Sequence, residues 1–260
     1  MSLGLGSNLS RAGIVTPGII TDNLILKHNY TGSSVALISD GAAFFDGTDD
    51  YIDSGDITEL DGLNDFTYAC WAKFLDNDPH PIVTKGGYNN SAATFGGYYS
   101  PNTSSGRFRF SVANEGANGG FWYRDNSGTL IPNDTWNHIA VTYSNTSDRV
   151  FFYFNGVQYS PTTSGSSNTF VSLPNSSVNL MVGSDATNFM NGYVCNLSLW
   201  GAELTTAQIK SIMYKNYAGL TSSEKTNLLS WWNLDPASVT TGESDTYITD
   251  SHGSNTGTLS

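Results

Sequence analysis

Short stretches in which apolar and polar residues alternate dominate the chain between about residues 39 and 200. Phe66, Tyr68, Cys70, Ala72 and Phe74 share one phase of FTYACWAKF, and Tyr193, Cys195, Leu197 and Leu199 share one phase of YVCNLSLW. A period of two belongs to a β-strand with one buried face. WNHIAVTY and VFFYF are apolar on both phases, which predicts strands in mid-sheet whose second face is also covered. Between such runs stand Asp46-Gly47, Asn155-Gly156 and Asn191-Gly192, pairs able to adopt the positive φ angles of tight hairpins. The pattern predicts an all-β fold of two stacked antiparallel sheets.

The flanks differ. Residues 1–38 are apolar and punctuated by glycine, with Pro17 and no helical period; they read as an extended arm. Its Leu3, Leu5, Leu9, Ile14, Val15, Ile19 and Ile20 need a surface to cover them, on the domain of residues 39–260 or on a neighbouring subunit. Helix signals come late. Thr205 is a predicted N-cap, with Gln208 three residues on and Ile209, Ile212 and Met213 on one face; Thr221 with Glu224 opens a second short helix. One or two helices are thus expected at about residues 205–229. The segment 230–260 returns to strand and turn composition and is expected to complete the sandwich.

Composition narrows the function classes. Among 260 residues only 13% are charged, against roughly 25% in an average soluble chain. The net charge of −12 repels a phosphate backbone, so nucleic acid is not an expected partner. No apolar run approaches the roughly 18–20 residues that cross a bilayer, and MSLGLGSNLSRAGIV lacks the basic and apolar blocks of a secretion signal. Membrane insertion is not expected. Cys70 and Cys195 form no zinc spacing; they are read as buried thiols, with a bridge between sheets as the alternative.

In order along the chain, GAAFFDGTDDYIDSG, FTYACWAKF, IVTKGG, DTWNHIAVTY, VFFYFNGVQ and VGSD followed by FMNGYVCNLSLWGAELTTAQI resemble the laminin-G-like jelly rolls of the concanavalin A-like lectin/glucanase superfamily. The resemblance implies a jelly-roll sandwich. That family usually opens with a YWxLDE strand and a DSSGNGNxGTL motif. Here Trp231, Trp232, Leu234, Asp235, Asp250, Ser251, Gly253, Asn255 and Gly257 to Leu259 carry the likeness at the other end, through circular permutation or as the remnant of a second copy. LILKHNY and SSEKTNLLSWWNLD look like segments of structural proteins of marine tailed bacteriophages. That second likeness implies a virion component made in the bacterial host cytoplasm, in keeping with unpaired thiols.

Catalysis finds little support. The glucanase strand motif ExDxE is absent, only Glu59 and Asp61 approach its spacing, and no GxSxG accompanies His28, His80, His138 or His252. His138 is read as a hydrogen-bonded sheet histidine and His80 as exposed. Asp46, Asp49, Asp50 and Asp53 crowd one turn, and Asp185 is a remote addition to them; hard oxygen ligands suit Ca²⁺, and members of the superfamily often bind a structural one. Tyr88, Tyr98, Tyr99, Phe121, Trp122 and Tyr123 form a candidate partner or ligand surface, with core packing, protein contact and sugar stacking all open. The expectation is a non-enzymatic virion structural protein (capsid decoration, head fibre or tail component). It would contact other capsid or tail subunits, form a homo-oligomer and adhere to host-surface glycan. The alternative is a carbohydrate-binding lectin module that depends on Ca²⁺.

Overall fold

The computed structural model describes residues 41–86, 94–100, 108–112, 131–161, 171–241 and 245–260, and residues 121–124 and 162–164 by their backbone alone. The arm of residues 1–38, with Leu3, Leu5, Leu9, Ile14, Val15, Ile19 and Ile20, lies outside the described residues.

Two antiparallel sheets emerge. The first runs β1 (Ala43–Asp46), β13 (Asn191–Trp200), β3 (Asp65–Phe74), β8 (Asn137–Ser144), β9 (Arg149–Phe154) and β10 (Val157–Tyr159), while β14 (Leu228–Trp232) pairs with the far half of β13. The second runs β11 (Thr162–Ser164), β7 (Phe121–Arg124), β6 (Phe108–Val112), β5 (Phe95–Tyr99), β4 (His80–Lys85), β12 (Leu180–Val182), β2 (Ile52–Asp53), β17 (Gly257–Leu259), β16 (Thr246–Ile248) and β15 (Val239–Thr241). Runs of sequential neighbours such as β4–β7 and β8–β10 alternate with crossings between the sheets, as from β1 to β2, β3 to β4 and β7 to β8. The fold is the all-β two-sheet antiparallel sandwich that the patterning predicts.

Its interior is aromatic. Phe66, Tyr68, Cys70, Ala72 and Phe74 of β3 meet Phe95 and Tyr99 of β5 and Phe108, Phe110 and Val112 of β6. The Phe66 ring lies 5.0 Å from Phe95 and 5.7 Å from Phe110. Each such side chain, fully buried, contributes about 1.5–3 kcal/mol. Gly97 leaves room for the Tyr68 hydroxyl, since a Cβ there would stand 2.1 Å from its oxygen. Lys85 is fully buried too, its Nζ donating to Asp56 and to the carbonyls of Ser176 and Val178 at 2.9 and 3.0 Å.

Among the described residues, α1 (Thr206–Ile212) covers only part of the outer face of the first sheet. Thr205 caps α1: its hydroxyl accepts from the Gln208 N–H while Gln208 accepts from the Thr205 N–H. Ile209 and Ile212 then pack over Ala69 of β3, Ala140 of β8, Tyr153 of β9, Trp200 of β13 and Trp231 of β14. The second predicted helix is absent. Thr221 and Glu224 do make their reciprocal bonds, but Asn227 turns to φ +61° and the chain enters β14, because LLSWW buries Trp231 and Trp232 on opposite faces of a sheet.

Two predicted hairpins also differ. Asn155-Gly156 joins β9 to β10 with φ +51° and +76°, as expected. Asp46-Gly47 instead carries the chain from one sheet to the other, and Asn191-Gly192 lies inside β13. Gly192 is needed there because a Cβ would come 2.2 Å from the Lys73 carbonyl oxygen.

Asp250 organises the tail. Its carboxylate accepts from the Trp231, His252 and Asn255 N–H groups, and Trp232 donates its indole N–H to the Asn255 carbonyl.

Candidate functional site

Beyond the reach of α1, the outer face of the first sheet carries rings instead of alanines. The local cause is a β-bulge in β13. Asn196 takes φ +50° and the pairing with β3 shifts between Cys195 and Ser198, which turns Tyr193 and Cys195 outward while Leu197 and Leu199 stay in the core. Strict alternation had placed all four on one face. Cys195 pairs across the ladder with Trp71, whose phase on β3 is opposite to that of Cys70. The two thiols are both buried and not joined in a disulfide, on opposite faces of the sheet.

The resulting groove, about 520 Å³, is lined by Gly41, Ala42, Trp71, Trp136, Tyr193, Cys195 and Tyr214, a size ordinary for small-molecule sites of about 300–1,000 Å³. Trp71 is its fixed wall: its indole N–H donates to the Met213 carbonyl at 2.7 Å, and His138 stands edge-on to it at 5.5 Å. Tyr214, next in sequence to Met213, holds its ring 6.0 Å from Trp71. Trp136 and Phe44 flank Tyr193 at 6.2 and 4.9 Å. Tyr214 is 60% exposed, Phe44 49% and Trp136 40%. Contiguous exposed rings on one face mark a binding surface more often than a structural one.

Polar groups at the groove are few and unspent. The Trp136 indole N–H and the hydroxyls of Tyr193 and Tyr214 make no hydrogen bond to any described residue. Lys73 lies beside the groove, 3.3 Å from Asp134 and 5.4 Å from the centre of the Tyr193 ring. His138 is buried, with Nδ1 unpartnered among the described residues, and burial lowers its pKa to about 3. It is therefore neutral at pH 7 and is not the hydrogen-bonded histidine expected. Cys195 and His138 stand on either side of Trp71, two strand spacings or about 10 Å apart, too far for a thiolate–imidazole pair. The groove can stack and donate hydrogen bonds, and the described residues that line it include no acid and no histidine.

The predicted site residues fall elsewhere. Tyr98 is 6% exposed and Tyr99 fully buried, its hydroxyl donating to the Ile131 carbonyl at 2.7 Å and accepting the Ile131 N–H. Neither offers a face to a ligand, because FGGYY forms strand β5 (Phe95–Tyr99), buried along its length. Phe121, Trp122 and Tyr123 are in β7, paired with β6; Tyr88 lies outside the described residues. His80, expected to be exposed, is buried with its ring stacked 4.8 Å from that of Phe74 and 6.3 Å from that of Tyr99, and burial lowers its pKa. Trp71, Trp136 and Tyr214 were not predicted. The available signal was a tryptophan on the phase of β3 otherwise held by Thr67, Ala69 and Lys73.

The acidic residues divide. Carboxylate oxygens of Asp46, Asp49 and Asp50 lie within 4.8 Å of one another, a donor set that fits a hard cation completed by water. Asp53 is not among them; it accepts from the Gly55 N–H and Asn179. Asp185 is buried and accepts from the N–H groups of Thr187 and Asn188 at 2.9 and 2.7 Å, closing its own turn. Glu59 is exposed, and Asp61 accepts the Ser176 N–H.

Residues 46–210 match the model of the concanavalin A-like lectin/glucanases superfamily. No curated protein matches the sequence. Among solved structures, a Bacteroides ovatus protein provisionally named as carbohydrate-binding is similar, with a TM-score of 0.62 and 18% identity over 88% of this chain and 60% of its own. The chain thus spans less than two thirds of that protein. The CBM40 module of a Ruminococcus gnavus sialidase, solved with α2,3-sialyllactose, gives a TM-score of 0.51 and 13% identity over 66% of this chain and 95% of its own. An SAP-like pentraxin from Limulus polyphemus gives 0.50 and 18% over 68% and 83%. These likenesses correct the expectation of a bacteriophage virion protein, whether capsid decoration, head fibre or tail. The family is one of lectins and glucanases, and none of these structures is a phage protein. No helix among the described residues is long and apolar enough to cross a membrane.

Proposed function

Because the chain belongs to the concanavalin A-like lectin/glucanase superfamily, we propose that it is a non-enzymatic carbohydrate-binding module whose ligand lies in the groove beside α1. One observation carries this reading: four aromatic rings, Trp71, Trp136, Tyr193 and Tyr214, line one open groove, and three of them present an unpaired donor at their tip. Sugar rings need both parts. Their C–H faces stack on aromatic surfaces, and their hydroxyls need partners at the edges. Titration of the full chain against a printed array of glycans should give at least one ligand whose affinity falls about ten- to a hundredfold on Trp136→Ala, the usual scale for losing an exposed aromatic anchor. Binding unchanged by that substitution would place the ligand elsewhere.

Calcium has a separate place in this reading. Asp46, Asp49 and Asp50 would hold it where β1 leaves the first sheet, about 7 Å along the strand from Phe44. A Ca²⁺ ion there would offset two of the three crowded carboxylate charges and stiffen the turn into β2. The expected result is a melting temperature raised by millimolar Ca²⁺ in the wild type and not in Asp49→Asn/Asp50→Asn; equal melting with Ca²⁺ and with EDTA would remove the metal from the reading.

A further inference from the structure

We infer that the groove selects uncharged sugar rings and rejects acidic ones, which rests on the carbohydrate-binding reading and narrows it. None of the residues lining the groove is a lysine, arginine, histidine or acid. Lys73, the cation beside it, is already matched by Asp134 at 3.3 Å and by the Tyr193 ring. A sugar carboxylate entering the groove would shed water against the electron-rich faces of four rings, with no free positive charge to receive it. It would do so in the field of a chain whose net charge is −12.

An uncharged pyranose meets none of these costs. Its axial C–H groups lie on the rings of Trp71 and Trp136, and its hydroxyls face the Trp136 N–H and the hydroxyls of Tyr193 and Tyr214, all unspent. The sialylated sugar seen with the CBM40 module is therefore the wrong charge for this groove, although the two chains share a fold. Binding driven by stacking and neutral hydrogen bonds is also insensitive to salt, in contrast to recognition of an anion.

The test titrates the full chain with cellotetraose, laminaritetraose, xylotetraose and mannotetraose, and in parallel with 3′-sialyllactose and trigalacturonic acid. Each is measured at about 0.05 and 0.5 M salt, with EDTA present, in the wild type and in Trp136→Ala and Trp136→Phe. At least one neutral sugar should bind at least about tenfold more tightly than either acid, a gap of about 1.4 kcal/mol. Its affinity should change less than about twofold with salt, fall in Trp136→Ala and largely return in Trp136→Phe. An acidic sugar bound as tightly, with the same dependence on Trp136, overturns the charge selectivity and leaves the groove as a sugar site. Absence of any sugar whose binding depends on Trp136 overturns the sugar site itself, and the selectivity with it.

Discussion

The two halves of one sheet face, covered and open, are built from opposite choices. Under α1, β3 and β8 present Ala69 and Ala140, small residues that let Ile209 and Ile212 descend onto the sheet between Tyr153, Trp200 and Trp231. A few residues along the same strands, the positions of Ala69 and Ala140 give way to Trp71 and His138, and no helix follows. Large side chains thus do different work in the two halves. In the covered half they complete a second core; in the open half they stand partly in water, where they add little to folding and offer area to a ligand.

The sharpest way to break this contrast is to truncate one ring in each half. Trp231→Ala, at 2% exposure, should destabilise by about 3–5 kcal/mol in denaturant unfolding, as buried aromatic deletions do, whereas Trp136→Ala should stay within about 0.5–1 kcal/mol. Comparable losses would mean that the open half is core as well.

Next in size is a pH effect at the boundary. His138 titrates near pH 3 in the folded chain against 6.5 ordinarily, because burial disfavours its charge. The unfolded chain therefore binds the extra proton first. The stability associated with neutral His138 is complete above about pH 6.5 and drains away as pH falls towards 3. The unfolding free energies of wild type and His138→Gln should converge or cross by up to a few kcal/mol over that window. A gap constant from pH 7 to 4 would show that His138 is hydrated, hence that the open half reaches further under Trp71.

Smaller still, Thr205→Ala removes the cap that seats α1 and should cost about 1 kcal/mol, measured as a lowered melting temperature with glycan affinity nearly unchanged. A marked loss of affinity would instead couple the helix to the groove through the Trp71–Met213 hydrogen bond. The least effect is expected from Asp134→Asn, which releases Lys73. Folding should move by no more than about 0.5 kcal/mol, the scale of an exposed pair, while 3′-sialyllactose should gain affinity. No gain would locate the source of discrimination away from Lys73.

What the sequence disclosed follows from what is local in it. The strand phases of β3, the Asn155-Gly156 turn and the capping box at Thr205 are decided by neighbours a few residues apart, and each appears as read. The site was hidden for the reverse reason. Trp71, Trp136, Tyr193 and Tyr214 are brought together by ladder pairing and by the end of a helix, and Tyr193 reaches the groove side of β13 only because of the bulge at Asn196. Conversely, Tyr98 and Tyr99 stood as candidates for a ligand surface with core packing open, and the long-range fit that buries β5, with Gly97 admitting the Tyr68 hydroxyl, is not written in their neighbours. The Thr221–Glu224 box was locally sound and was overruled by the gain from burying Trp231 and Trp232 in β14.

The bulge at Asn196 also acts as a reading-frame switch for the surface. With one residue more or fewer at that point, the stretch on one side of it would present its alternate set of side chains: Val194 to water and Tyr193 to the interior, or Leu197 and Leu199 outward, depending on which side held its pairing. A single-codon insertion or deletion there would either withdraw Tyr193 from the ring cluster or expose core leucines, without changing any aromatic residue.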